Sequence, residues 1–84
     1  MDKVVIDIEA NGLKPDTVWC ICIHNLKTDE GTSWVDTALQ DFPKWVEDNK
    51  PIEFIGHNII GYDIPVLEKL LKVDFSECKL TDTL

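Results

Sequence analysis

The run Val4-Val5-Ile6-Asp7-Ile8-Glu9 constrains the fold more than any other stretch of the chain. Four of its six residues are Val or Ile, whose stiff branched side chains suit an extended pleat better than a helix. Lys3 to Glu9 is therefore predicted as a strand. Side chains alternate between the faces of a strand, so Asp7 and Glu9, two residues apart, project from the same face. Two carboxylates so placed repel one another unless a cation joins them. A third carboxylate, Asp63, falls where a later apolar run gives way to a predicted helix. Hard oxygen donors of this kind point to a divalent metal ion and to phosphoryl chemistry. Each acid also has a plainer reading. One of Asp7 and Glu9 reads as a surface carboxylate and the other as a turn cap before Asn11-Gly12, while Asp63 reads as a helix N-cap.

Beyond the first strand, Asn11-Gly12 and Pro15-Asp16 mark a turn. Val18 to Asn25 is a second predicted strand. It has Trp19, Ile21 and Ile23 on one face and Val18, Cys20, Cys22 and His24 on the other, so both faces are expected to be covered. Thr32 to Val35 is a short third strand, and the three form an antiparallel meander. Leu39, Phe42, Trp45 and Val46 then follow a helical pattern. Either Asp41 caps a helix carrying Pro43 in its first turn, or Thr37 caps a longer helix kinked at Pro43. Ile52 to Ile55 is a fourth strand, and Ile59 to Gly61 a loop. Asp63 followed by Pro65 is a helix start, with Ile64, Leu67, Leu70 and Leu71 as the apolar face. Val73 to Leu80 leads into a last short strand, and Thr81-Asp82 resembles the cap of a further helix. Three meandering strands followed by parallel additions is the ribonuclease H-like α/β pattern, a mixed sheet with two helices. It makes the first strand central and adjacent to the fourth, so that Asp7, Glu9 and Asp63 converge at one sheet edge.

Composition sets limits on function. The 84 residues amount to one small domain or part of a larger one. The net charge is -8, from sixteen acidic residues against eight lysines and no arginine. That balance disfavours a free-standing nucleic-acid binder and is compatible with bound cations. Three cysteines and no secretory leader indicate a reducing, cytoplasmic setting and no disulfide framework. Cys20, Cys22 and His24 alternate as soft-metal ligands on a strand face would, although buried thiols acting as small hydrophobes are the simpler reading. No apolar run approaches membrane-spanning length.

Asp7-Ile8-Glu9-Ala10-Asn11-Gly12-Leu13 resembles the first motif of the DEDD (DnaQ-like) 3'-5' exonucleases. His57-Asn58-Ile59-Ile60-Gly61-Tyr62-Asp63-Ile64-Pro65-Val66-Leu67 resembles the second. Phe75 to Leu84 is similar to the strand and helix start that follow. Together they resemble the N-terminal proofreading domain of family A DNA polymerases from short-tailed phages. The resemblance covers residues 1–84 and implies a partial exonuclease domain, incomplete at its C-terminal end and lacking a third motif. The resemblance implies a two-metal site for Mg²⁺ or Mn²⁺ held by Asp7, Glu9 and Asp63. It further implies that Leu13 packs against the terminal base, that Asn58 contacts the frayed strand, and that His57 and Tyr62 support them. The expected substrate is a single-stranded DNA 3' end. The expected partner is a downstream exonuclease or polymerase segment, or a homo-oligomer partner covering exposed apolar surface. Asp74 and Asp82 lie in the wrong places to supply the missing carboxylate, so the chain alone is expected to bind metal weakly and cleave poorly. Two other readings stay open: a non-catalytic binding or regulatory module on the same fold, and a metal-binding domain acting on another substrate such as RNA ends.

Overall fold

The computed structural model describes residues 1–84. Its strands are β1 (Asp2–Ala10), β2 (Val18–Asn25), β3 (Gly31–Val35), β4 (Ile52–Gly56) and β5 (Cys78–Asp82), and its helices α1 (Phe42–Asp48) and α2 (Ile64–Leu71). The five strands form one sheet in the order β3-β2-β1-β4-β5. β1 to β3 pair antiparallel, and β4 and β5 add in parallel. The predicted α/β mixed sheet of ribonuclease H-like type, with β1 central between β2 and β4, is therefore present.

The core lies on one face of that sheet. Val4, Ile6 and Ile8 of β1, Ile21 and Ile23 of β2, and Ile52 and Phe54 of β4 all point to it. Phe42 and Val46 of α1 and Ile64 and Leu67 of α2 cover them. Trp34 of β3 packs edge-on against Phe42, ring centroids 4.9 Å apart. Fully burying side chains of this size contributes about 1.5–3 kcal/mol each.

The opposite face is open along β1 and β2, which corrects the expectation that β2 is covered on both sides. Lys3, Asp7 and Glu9 of β1 and Cys22 and His24 of β2 are exposed there. A bulge explains part of the difference. Glu9 pairs with Cys20, but Ala10 pairs with Val18, so Trp19 is an extra residue. Val18 joins the buried face of Ile21, and Trp19 is extruded with 58% of its surface exposed. One inserted residue shifts the alternation beyond it.

The helix starts also differ from the sequence reading. A 3-10 turn over Asp36–Asp41 leads into α1, with Pro43 in its first turn as in the shorter of the two predicted helices. Asp41 makes no side-chain cap hydrogen bond. The segment predicted as a loop before α2 is instead a π turn, Ile59–Asp63, entered through Asn58 in the left-handed region at φ 56°. Thr81 and Asp82 belong to β5 and do not open a helix. Asp82 does accept the Leu84 backbone N–H at 2.9 Å.

Candidate functional site

The site forms where β4 leaves β1. Their pairing runs from Asp2↔Ile52 to Val5↔Ile55, whereas β1 continues to Ala10. The flank of Asp7 to Glu9 is therefore free of a parallel neighbour, and the chain from His57 to Asp63 passes beside it. Such a gap at the carboxyl ends of parallel strands is where open α/β sheets hold ligands.

Asp63 is the pivotal residue. It has helical backbone angles and makes no capping hydrogen bond, which corrects its reading as an N-cap. The π turn begins the helical path four residues earlier, so the carboxylate is not engaged in closing a helix end. It is 6% exposed. Burial, and then the nearby Asp7 carboxylate, push its pKa up to about 6, with Asp82 adding to the effect. The Asp63 and Ile8 backbone amides pull weakly the other way. Burial and a like charge both disfavour the ionised form, and a bound cation would reverse both.

Asp7 and Glu9 share the open face, as predicted from their spacing. Asp7 lies opposite Cys22 and Glu9 opposite Cys20 across the β1–β2 ladder. The structure thus brings Asp7 within electrostatic reach of Asp63 and keeps Glu9 one pleat further along. No three His, Cys, Asp or Glu side chains already converge as a formed ion cage.

The remaining predicted residues divide. Leu13 is 94% exposed on the loop after β1. With Lys14, Tyr62, Pro65 and Lys69 it lines a groove of about 250 Å³ beside α2. Tyr62 ties the two motifs together, its hydroxyl donating to the Gly12 carbonyl at 2.5 Å. His57 is exposed. Asn58 is half-buried, and its side chain lies so close to Gly61 that a Cβ there would sit 2.6 Å from Asn58 Oδ1. It therefore shapes the turn.

Sequence reasoning missed the part played by Asp82. Its carboxylate is engaged with backbone amides at the head of the turn carrying Asp63, accepting the N–H groups of Asn58 and Ile60, both at 2.9 Å. Together with the Leu84 amide, these donors hold its pKa below the usual carboxylate range. The residue that fixes this turn thus lies more than twenty positions downstream of the amides it holds. The only signal for it in the sequence is an acid at the end of a short, mixed polar and apolar strand.

No family model and no curated protein matches the chain. Among solved structures, the fold is similar to part of the family B DNA polymerase from the hyperthermophilic archaeon Pyrobaculum calidifontis, with a TM-score of 0.65 and 17% sequence identity. The match covers 93% of this chain and 13% of that one, so the chain spans a small fraction of that polymerase's length. At this identity the likeness shows a shared fold. It lies with a family B enzyme, whereas the motifs resemble family A.

Proposed function

We propose that the chain is the metal-binding part of a 3'-5' exonuclease unit that accompanies a DNA polymerase. The observation that carries this reading is Asp63: a buried carboxylate, free of any capping role, close enough to Asp7 for its pKa to be raised by that charge. The hard oxygen donors of Asp7, Glu9 and Asp63 fit Mg²⁺ or Mn²⁺. Bound ions would supply Lewis acidity to the attacking water and the leaving 3'-oxygen. In this reading Asp7 and Glu9 would hold the ions from the open face of β1 and Asp63 would hold them from the head of α2. The groove between Leu13 and Lys69 takes the strand end. Lys14 and Lys69 line it and offset the excess of negative charge for a phosphate backbone.

A polymerase chain containing this fold supports the polymerase setting. The narrower assignment to family A enzymes of short-tailed phages rests on the two motifs alone. A second reading is a non-catalytic binding module on the same fold, favoured by the net charge of -8, which repels a nucleic-acid backbone.

Calorimetry with Mn²⁺ on the wild type, Asp7→Ala and Asp63→Asn separates the two readings. The exonuclease reading expects a binding heat that both substitutions abolish. It also expects slow or no release of mononucleotides from single-stranded DNA until a fragment supplying a further metal-binding acid is added. Binding heat indifferent to both substitutions would leave the module reading.

A further inference from the structure

The alternating Cys20, Cys22 and His24 are not the buried hydrophobes that the simpler sequence reading expects. Cys22 is exposed and Cys20 half-buried, both on the open face of the sheet. Their sulfur atoms are 3.4 Å apart. Ser33 Oγ, on the neighbouring strand, donates to Cys22 Sγ at 3.6 Å. His24 is drawn out of the set, since its Nε2 pairs with Asp29 Oδ1 at 2.8 Å. Cys78 is remote from the pair, packed against the core on the last strand. Each of the two thiols also faces one acid across the ladder, Cys22↔Asp7 and Cys20↔Glu9.

We infer that Cys20 and Cys22 form a two-thiol site for a thiophilic divalent cation of the Zn²⁺ or Cd²⁺ class. Two sulfurs bound to one tetrahedral zinc stand about 3.8 Å apart, given Zn–S bonds of about 2.3 Å. The observed separation reaches that value by a small rotation of either side chain. Binding converts two thiols to thiolates and releases two protons to solvent, with the cation joining both sulfurs. No third ligand is preformed. Water, or a carboxylate oxygen of Asp7 or Glu9 swung across the ladder, fills the remaining positions. Softness sorts the ions: thiolates select Zn²⁺ or Cd²⁺, whereas Mg²⁺ prefers the oxygen donors alongside. The inference does not depend on the exonuclease reading. If that reading also holds, a soft ion here lies one strand spacing from Asp7 and Glu9 and inhibits the hard-metal site.

The test is a Cd²⁺ titration of the reduced full chain in excess Mg²⁺, followed by the sulfur-to-cadmium charge-transfer absorbance in the ultraviolet. One cadmium per chain is expected. The band should be lost in Cys20→Ser and Cys22→Ser and kept in Cys78→Ser. Alkylation with iodoacetamide and peptide mass mapping repeats the test without any substitution: Cd²⁺ should protect Cys20 and Cys22 and leave Cys78 labelled as before. A band that survives Cys22→Ser, a stoichiometry of one ion per two chains, or protection confined to Cys78 would each overturn the site.

Discussion

Asp63 holds its carboxylate in surroundings that oppose its charge, and this gives the chain a pH dependence of definite sign. An unfolded Asp titrates near 3.8, and the folded one at about 6. Between these values the folded chain binds more protons than the unfolded one. The contribution is fully present below about pH 4 and is lost as pH rises through 6, a swing on the order of 2–3 kcal/mol. Asp63→Asn should therefore stabilise the metal-free chain at pH 7.5 by up to that amount and flatten its pH profile between 4 and 6. Urea midpoints measured at about pH 4, 6 and 7.5 read both effects, and an Asn variant no more stable than wild type at about pH 7.5 would refute the burial account. The same substitution should weaken Mn²⁺ binding, the usual opposition between stability and function at a site. Tyr62 acts differently. Its hydroxyl fastens the loop carrying Leu13 to the turn carrying Asp63. Tyr62→Phe should lower stability by about 1 kcal/mol. It should also speed amide exchange in residues 11–14, which hydrogen-exchange mass spectrometry reads directly.

Among the elements, β1 and its neighbours were legible in the sequence and the passages between elements were not. The strand at Val4 to Glu9, the meander and the parallel return of Ile52 to Ile55 follow from branched residues and turn signals, and the central place of β1 follows from their order. The face shared by Asp7 and Glu9 was equally plain, because a pleat has a fixed period of two. The bulge at Trp19 was hidden, since it is a property of two paired strands and no pattern within one reveals it. The open face was misjudged for a related reason: Cys20 and Cys22 read as apolar, and composition does not say whether a partner layer exists. The π turn was hidden behind the Asp63–Pro65 helix-start signal. What sets it is Asn58 in the left-handed region, held by an acid from β5. Gly56, at the point where β4 ends, marks how tightly that passage is packed. A Cβ on it would fall 2.8 Å from the Ile6 carbonyl oxygen and closer still to the Ile59 side chain. Gly56→Ala should thus destabilise by about 2 kcal/mol through overpacking, seen as a lower urea midpoint. An unchanged midpoint would mean that β4 and the π turn can part without loss.

The whole molecule carries a net charge of -8 on 84 residues, with one sheet face covered and the other exposed along β1 and β2. Self-repulsion of that size works against a compact state and is screened by salt. Raising NaCl from about 0.05 M to about 0.5 M should therefore raise the urea midpoint. At matched ionic strength, MnCl₂ should raise it further in the wild type and not in Asp7→Ala. Equal responses in the two proteins would reduce the cation effect to screening. No helix is long and apolar enough to cross a membrane. The order in which the parts come together carries one more consequence. The grip of Asp82 on Asn58 and Ile60 spans more than twenty residues, and Asp82 ends the last strand. On a ribosome, where a chain emerges from its N-terminus, the β1–β2 hairpin can pair early. The pocket around Asp63 stays unset until Asp82 itself has cleared the exit tunnel, so a nascent chain is without this acidic centre until then.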